Sequence, residues 1–205
     1  MKKIMVIGAT GLLGSHLVQL LKSQARPIEV VEVSLNGAGL HVDIANAQSL
    51  HRLFHQVGPL DGIACAAGLA RFVPWAQTSD DDWAHGIANK LMGQINVIRC
   101  GAASVRNGGA ITLTTGVLAQ YPVPVSAIVT MVNAAVEATV RAAAAELGAG
   151  LRINAVSPGW VTETMQAMGM NPTAGMSAKD VAQRLLDQLM SGASGSVLVA
   201  ARAEV

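Results

Sequence analysis

The sequence is poor in charged residues and in cysteine. Charged residues make up 13% of the 205 residues and leave a net charge of +1. This excludes a disordered chain and the basic surface that binds nucleic acid or anionic membranes. The two cysteines, Cys65 and Cys100, stand in no CxxC or Cys/His spacing, which excludes a disulfide scaffold and a zinc site. Few cysteines beside nine methionines predict a reducing, cytoplasmic location.

Long apolar runs are also absent. No run reaches the ~18 residues of a membrane-spanning helix, so no membrane association is expected. Yet 51% of the residues are hydrophobic, which is typical of parallel sheets covered by helices on both faces. Short apolar runs alternate with segments of helical period from residues 3–7 to residues 196–200. We predict an α/β fold with a doubly wound parallel sheet of about seven strands, in one domain over residues 1–205.

Two long helices are predicted, over residues 80–105 and 125–147. A predicted turn at residues 107–109 indicates that a strand begins after it, over residues 110–114. The three aspartates at 80–82 start the first long helix, where adjacent side chains diverge and cannot converge on one ion. They are interpreted as a helix cap with favourable dipole charges, and no metal site is predicted.

A glycine motif lies between the first predicted strand and the first predicted helix. Its residues are Gly8, Ala9, Thr10, Gly11, Leu12, Leu13 and Gly14. Gly8 permits a tight turn, Gly11 lets the backbone approach a pyrophosphate, and Gly14 lets the helix pack on the sheet. The helix N-terminus offers free N–H groups and a positive dipole end to phosphate. The motif therefore predicts a Rossmann-type nucleotide-binding site.

The residue that contacts the adenosine ribose is expected at the end of the second strand. A carboxylate there favours a free 2′-hydroxyl and an arginine favours a 2′-phosphate. The usual spacing points to Glu32 and hence to NAD. An insertion at residues 24–29 would move the position to Ser34 or Leu35. The choice between NAD and NADP stays open.

Further segments resemble, in order and over almost the whole chain, those of the short-chain dehydrogenase/reductase family. They are residues 41–44, 65–68, 111–116, 134–147 and 152–159. The resemblance implies an NAD(P) cofactor. It also implies contacts of that cofactor with the following residues: Asp43, Ile44, Ala66, Ala67, Gly68, Pro158, Gly159, Val161 and Thr162. Asp43 would touch adenine, the Val161 backbone the nicotinamide carboxamide, and the Thr162 hydroxyl a phosphate.

The catalytic residues of that family are altered here. The family uses a serine, a tyrosine and lysine four residues apart on one helix, and an asparagine from the preceding long helix. Thr115 stands at the serine position and Val129 at the tyrosine position. Asn133 stands at the lysine position and Lys90 at the asparagine position, so lysine and asparagine are exchanged between two helices.

Lys90 and Tyr121 are candidates to replace the missing tyrosine. Lys90, buried beside a nicotinamide ring, would have a lowered pKa and could donate the proton itself. Alternatively it binds ribose hydroxyls or a backbone carbonyl, or extends to solvent. Tyr121, the only tyrosine, could supply a phenol to the site or could be a packing residue of its loop.

The resemblance implies a function, a lid and an assembly. It implies an NAD(P)-dependent oxidoreductase acting on a small carbonyl or alcohol, with a short, methionine-rich substrate lid around residues 160–177. The alternative is a catalytically silent NAD(P)-binding sensor or scaffold, which Val129 favours. The family's dimers pair through their two long helices, and the second one here is rich in alanine. A homodimer or homotetramer is therefore expected.

Overall fold

A seven-stranded parallel sheet forms the centre of the molecule. The computed structural model describes residues 1–37 and 39–202. The strands are β1 Lys2–Ile7, β2 Ile28–Ser34, β3 Leu40–His41, β4 Leu60–Cys65, β5 Val105–Thr114, β6 Leu151–Pro158 and β7 Val197–Ala200. Their order is β3-β2-β1-β4-β5-β6-β7, which confirms the predicted doubly wound sheet. The predicted domain range 1–205 includes position 38 and residues 203–205, which lie outside the described residues.

Helices cover both faces of the sheet. They are α1 Leu12–Lys22, α2 Ala47–Val57, α3 Asp80–Gly86, α4 Gly93–Gly101, α5 Ala127–Leu147, α6 Thr162–Ala167 and α7 Ala178–Ser191. Apolar side chains at helical spacing, such as Leu17 and Leu21 of α1, pack with α7 on one face of the sheet. Residues of α2, α4 and α5 form the larger core on the other face. The near-continuous burial of the central strands follows from this double cover.

The direction in which strands are added reverses beside β1. The chain proceeds outward to β2 and β3 on one side of β1, and to β4 through β7 on the other. In such sheets the loops at the carboxyl ends of the two strands that flank the reversal separate and leave a crevice. The loops after β1 and β4 therefore border the expected ligand site.

The helix predicted over 80–105 is interrupted, and its predicted end is wrong. A π-helical segment, Ile87–Met92, separates α3 from α4, and a 3₁₀ turn follows at Ala102–Ser104. Val105 already belongs to β5, whose predicted start at 110 is too late. The glycine turn lies inside the strand, where the register against β4 shifts and Gly108 takes φ +82°. Glycine permits such an irregularity, so the turn signal does not end the strand.

Two further boundaries differ from the prediction. Helix α5 begins at Ala127, two residues later than predicted, because Val125 has φ 66° and cannot continue a helix. The segment predicted as a lid contains the short helix α6, which its irregular mixture of Met, Gly and Ala did not indicate. A β-bridge between Val161 and Met176 closes this segment at its base.

Helix α5 is, among the described residues, the one helix long and apolar enough to cross a membrane by length and composition. It packs along β6 and contributes Val136 and Val140 to the core of the domain. Core helices pass the same compositional test. Association of copies through α4 and α5, and a cytoplasmic location, stay predictions.

The C-terminus of α7 is capped by a side chain of β6. The Arg152 guanidinium donates to the carbonyl oxygens of Leu189 and Gly192, each at 2.8 Å. These carbonyls belong to the end of the helix or follow it, where acceptors lack partners within the helix. Arg152 thereby joins α7 to the sheet.

Replacing Arg152 with Gln is expected to lower the free energy of unfolding by about 1–3 kcal/mol, because several helix-terminal carbonyls lose a charged donor. Urea denaturation measures this. Arg184→Gln, on the exposed face of the same helix, is the control and should change stability by less than about 0.5 kcal/mol. Equal effects of the two substitutions would contradict the capping role.

Candidate functional site

The glycine motif forms a tight turn between β1 and α1. Gly8 has φ +87°, and its N–H donates to the Val33 carbonyl at 2.8 Å, while the Gly11 N–H donates back to Gly8 at 3.0 Å. A Cβ added at Gly14 would lie 2.0 Å from the Gly8 carbonyl oxygen. The helix therefore starts closer to the strand than any side chain would allow.

The N-terminus of α1 is open to a ligand. Gly11 caps the helix without a side-chain hydrogen bond. Within the described residues, the N–H groups of Leu12, Leu13 and Gly14 meet no protein acceptor. A cavity of about 260 Å³ lies against the turn, and its lining includes Gly8, Thr10, Gly11, Ser34, Leu35, Asp43, Ala66, Ala67 and Gly68. The arrangement suits a phosphate at the helix N-terminus.

The structure distinguishes the two candidate positions for the residue that contacts the adenosine ribose. Glu32 is paired with Lys22, its Oε1 lying 2.6 Å from Nζ, and it is not among the residues that line the cavity. Ser34 and Leu35 do line it. The Ser34 hydroxyl donates to the Asn36 carbonyl at 2.8 Å. The geometry thus favours the position that an insertion before β2 implies.

The rest of this cavity is built by the loops after β3 and β4. Asp43 is exposed and accepts the Ala45 N–H at 2.9 Å, which orders the loop. Ile44 lies beneath it, buried against α4. Asn89, which sequence reasoning missed, accepts the Leu69 N–H at 2.7 Å and also lines the cavity.

A second cavity brings together three of the candidate catalytic residues. Lys90, Thr115 and Asn133 line a space of about 190 Å³, together with Val129, which the resemblance places at the tyrosine position. Gly68 and Leu69 line both this cavity and the first, so the two are neighbours along the carboxyl edge of the sheet. The glycine motif and the catalytic candidates therefore border one groove.

Lys90 lies on the π-helical segment. Its Nζ donates to the Thr114 carbonyl oxygen at 2.6 Å, and its stem packs against Gly68. Loss of solvent around the ammonium lowers the pKa of Lys90 to about 8. Single π-helical turns occur frequently at functional sites, and this one determines where the lysine emerges from the helix.

Gln94, one turn beyond Lys90, is fully buried and was not singled out from the sequence. Its Nε2 donates to the carbonyls of Thr114 at 2.7 Å and Ala67 at 3.0 Å, and its Oε1 accepts the Thr114 N–H at 3.2 Å. The side chain thus joins the ends of β4 and β5. Its only sequence signal is its place after the Lys90-Leu91-Met92-Gly93 segment.

Asn133 carries an unsatisfied buried atom. Its side chain is 4% exposed, and Oδ1 is the one buried side-chain oxygen or nitrogen without a hydrogen-bond partner among the described residues. A buried acceptor without a donor is costly unless a ligand supplies one. Asn133 lines the cavity of Lys90, so the unpaired oxygen marks a place for a ligand N–H or O–H.

Thr115 is held from behind by a carboxylate. Its Oγ1 donates to Glu137 Oε1 at 3.0 Å, with the Val156 carbonyl at 3.3 Å as a second acceptor. Glu137 also accepts from Ser157 Oγ at 3.0 Å and from Gln120 Nε2. Glu137 escaped sequence reasoning because a lone glutamate in an alanine-rich helix is usually exposed.

The remaining candidates lie beside this groove. Pro158, Gly159 and Val161 line a cavity of about 230 Å³ that also borders Thr115, whereas Thr162 starts α6 at the base of the lid. Tyr121 is 72% exposed and lines a different, larger cavity of about 630 Å³. Lys90, Thr115 and Asn133 are not among the residues that line that larger cavity.

Comparison with known proteins identifies the family. A family model described as Enoyl-(Acyl carrier protein) reductase matches residues 16–197. Hydroxynaphthalene reductase arp2 of Aspergillus fumigatus is 25% identical over 150 residues, 70% of this chain and 55% of the relative. A hydroxynaphthalene reductase-like protein Arp2 of Metarhizium anisopliae is 27% identical over 163 residues, 74% of this chain and 61% of the relative. The chain thus spans less than two thirds of these relatives.

Solved structures match over nearly the whole chain. The protein lin1944 from Listeria innocua is 32% identical, with a TM-score of 0.91 and coverage of 97% of this chain and 99% of that one. A small-chain dehydrogenase in complex with NADPH is 26% identical, with a TM-score of 0.84 and coverage of 98% and 96%. The fold defines a dinucleotide-binding class of α/β protein. The chain belongs to the short-chain dehydrogenase/reductase family.

Gly14→Ala is expected to destabilise the fold although alanine is the better helix former, because the added Cβ would meet the Gly8 carbonyl at 2.0 Å. We expect a loss of about 1–3 kcal/mol, measured by thermal denaturation. Ser15→Ala in the same turn serves as the control for a change without such a contact. A stabilised Gly14→Ala variant would show that helix and strand are not in the close contact described.

Proposed function

We propose that this protein is an NAD(P)-dependent oxidoreductase that acts on a small carbonyl or alcohol. The observation that carries the proposal is the groove that joins the glycine turn to Lys90, Thr115 and Asn133. It runs along the carboxyl edge of the sheet, from the reversal of strand order toward β5. An extended dinucleotide laid from the α1 N-terminus along this edge would present its reactive end beside Lys90.

The residues present fit such a cofactor. Gly14 lets the start of α1 pack against Gly8, and the adjoining cavity is lined by Gly8 and Gly11. Among the described residues, the first N–H groups of α1 have no protein acceptor and are available to a pyrophosphate. Asn133 Oδ1 lacks the donor that a ribose hydroxyl or a carboxamide N–H would provide. The nicotinamide, when bound, supplies hydride transfer, and the protein supplies orientation and the proton.

Lys90 is the proposed proton donor. An ammonium has three N–H donors, and the Thr114 carbonyl fixes one of them. The others remain for a ligand in the cavity. Because the pKa of Lys90 lies at about 8, the group loses its proton more readily than an ordinary lysine and regains it near neutral pH. Thr115, on the same cavity, is the proposed hydrogen-bonding partner of the substrate oxygen.

The proposed substrate is small and largely apolar. The cavity next to Thr115 is bordered by Val117, Leu118, Val129, Phe72 and Trp160, and the last two rings stack with centroids 6.1 Å apart. Such walls favour a hydrocarbon or aromatic skeleton around one polar group. The fungal relatives are named a hydroxynaphthalene reductase and a hydroxynaphthalene reductase-like protein, and these names support the same class of substrate.

We also propose a preference for NADP(H). A carboxylate at the end of β2 would repel a 2′-phosphate, but Ser34 and Leu35 occupy that position and Glu32 is paired with Lys22. The NADPH in the structure of the small-chain dehydrogenase agrees with this choice.

NADPH is therefore expected to bind at micromolar concentration and at least as tightly as NADH, as measured by nicotinamide fluorescence. Leu35→Asp should shift the affinity ratio toward NADH by about tenfold, because a carboxylate would then face the 2′-phosphate. Leu35 is 61% exposed, so the fold should tolerate the change. Tighter binding of NADH to the unaltered protein would refute the preference, and binding of neither dinucleotide would refute the proposed function.

Lys90→Met is expected to lower carbonyl reduction by about 100-fold or more, with NADPH affinity nearly intact, because the proton donor is lost while the stem is kept. In the unaltered protein the rate should fall as pH rises through about 8, where Lys90 loses its proton. Lys179→Met, at an exposed position of α7, is the matched control and should leave both quantities unchanged. Unchanged turnover by Lys90→Met of ketones that the unaltered protein reduces would exclude the acid role.

One observation favours the silent alternative. Val129 occupies the tyrosine position and brings no proton donor to the cavity. A protein that binds NADPH but reduces none of a broad panel of aldehydes and ketones would be a dinucleotide sensor or scaffold instead.

A further inference from the structure

A cavity of about 630 Å³ lies next to the proposed reaction site, and the proposed reaction leaves it unused. It is found at the carboxyl ends of three strands, where Val117 follows β5, Trp160 follows β6 and Ala201 follows β7. Its volume lies within the ~300–1,000 Å³ of typical ligand sites, whereas the cavity beside Thr115 has about 230 Å³. The larger cavity therefore has room for the main part of a ligand whose reacting group lies beside Thr115.

The two cavities adjoin each other. Four residues line both of them: Val117, Leu118, Gly159 and Trp160. The Trp160 ring stacks against Phe72, which belongs to the wall of the smaller cavity. A ligand that occupies both spaces has its reacting group near Thr115 and its remainder beyond Trp160.

The wall of the larger cavity is apolar apart from one charge. Its apolar side chains are Val117, Leu118, Val123, Trp160, Ala174, Val199 and Ala201. Arg202 lines the same space, and of the described residues that line it none is an aspartate or glutamate. An arginine stays charged at every pH at which the protein works. The cavity thus complements an apolar body that carries a negative charge.

Arg202 is held in place by the lid segment. Its Nη1 donates to the Thr173 carbonyl at 2.6 Å, in the 3₁₀ turn Pro172–Ala174. A guanidinium has five N–H donors in a planar fork, so this bond leaves donors for a ligand. Tyr121, whose hydroxyl has no part in the proposed reaction, lines the same cavity and offers a further donor.

We propose that the substrate carries a carboxylate, which Arg202 and Tyr121 bind in the larger cavity while the carbonyl or alcohol lies beside Thr115. This inference rests on the proposed function and names its substrate class more closely, as an apolar keto or hydroxy acid. The single guanidinium favours a carboxylate over a phosphate monoester. Its planar fork matches two coplanar oxygens, and its one positive charge balances one negative charge.

Binding of a matched pair of ligands to the full chain tests the proposal. The probes are 3-phenylpropanoate and 3-phenylpropanamide, which share the apolar body and differ in charge. Titrations followed by ligand-observed nuclear magnetic resonance, without cofactor, measure both affinities. We expect the carboxylate to bind about tenfold more tightly than the amide, because a charged group replaces a neutral one at the guanidinium. Added salt should reduce this advantage, since Arg202 is exposed.

Substitutions assign the preference to the cavity. Arg202→Gln should bring the affinity for the carboxylate down to that for the amide, whose own affinity stays nearly constant. Arg202→Lys keeps the charge without the planar fork and should retain part of the advantage. Tyr121→Phe should weaken the carboxylate alone. Arg184→Gln, at an exposed position of α7 outside the cavity, is the control and should change neither affinity.

Three results would overturn the proposal. The unaltered protein could bind the two probes equally or bind neither, which would show that the cavity does not select an anion. Arg202→Gln could weaken both probes by the same factor, and Arg202 would then only hold the lid through Thr173. A preference that persists in Arg202→Gln would place the bound carboxylate elsewhere.

Turnover separates this inference from the proposed function. An aromatic keto acid should have a KM about tenfold below that of its keto amide with similar kcat, because the acid lies away from the reacting carbon. If NADPH binds and ketones are reduced without this difference, the carboxylate assignment alone fails. If no dinucleotide binds, the proposed function fails, and the binding titrations still report whether Arg202 selects a carboxylate.

Discussion

The carbonyl oxygen of Thr114 is the point on which the candidate site depends. It accepts hydrogen bonds from Lys90 Nζ at 2.6 Å and from Gln94 Nε2 at 2.7 Å. The two donors come from the π-helical segment and from α4, which follows it. Gln94 also donates to the Ala67 carbonyl, so its side chain connects the ends of β4 and β5 with the helical layer. A parallel strand ends with an unpaired carbonyl at this edge, and here two buried donors satisfy it. The π-helical segment that holds Lys90 is thereby fixed against the sheet.

The exchange of lysine and asparagine changes the chemistry of the site without removing its charge. An ammonium still borders the groove, but it emerges beside β5 rather than from α5, and α5 contributes an amide with an unsatisfied oxygen. With Val129 at the tyrosine position, the cavity has no phenol. Under the proposed function, Lys90 is then the proton donor and the Thr115 hydroxyl lies on the same cavity.

The parts of the structure that were predicted from sequence are those with a periodic or local signal. Alternating strand and helix patterns predicted the sheet, and the spacing of Gly8, Gly11 and Gly14 predicted the turn. The π-helical segment was not predicted because its side chains follow an almost helical period. The start of β5 was misplaced because a glycine turn can lie inside a strand at a bulge. Gln94 and Glu137 were missed because their roles depend on partners many residues away, which no local pattern records.

Glu137 is the residue whose presence a packing argument cannot explain. An apolar side chain of similar size would fill its place on α5 without the cost of removing a carboxylate from water. Three hydrogen bonds offset that cost only because Thr115, Ser157 and Gln120 come together from the ends of β5, β6 and the loop between β5 and α5. The arrangement therefore makes physical sense as a means of fixing the Thr115 hydroxyl, since Thr115 lines both cavities whereas Ser157 is fully buried.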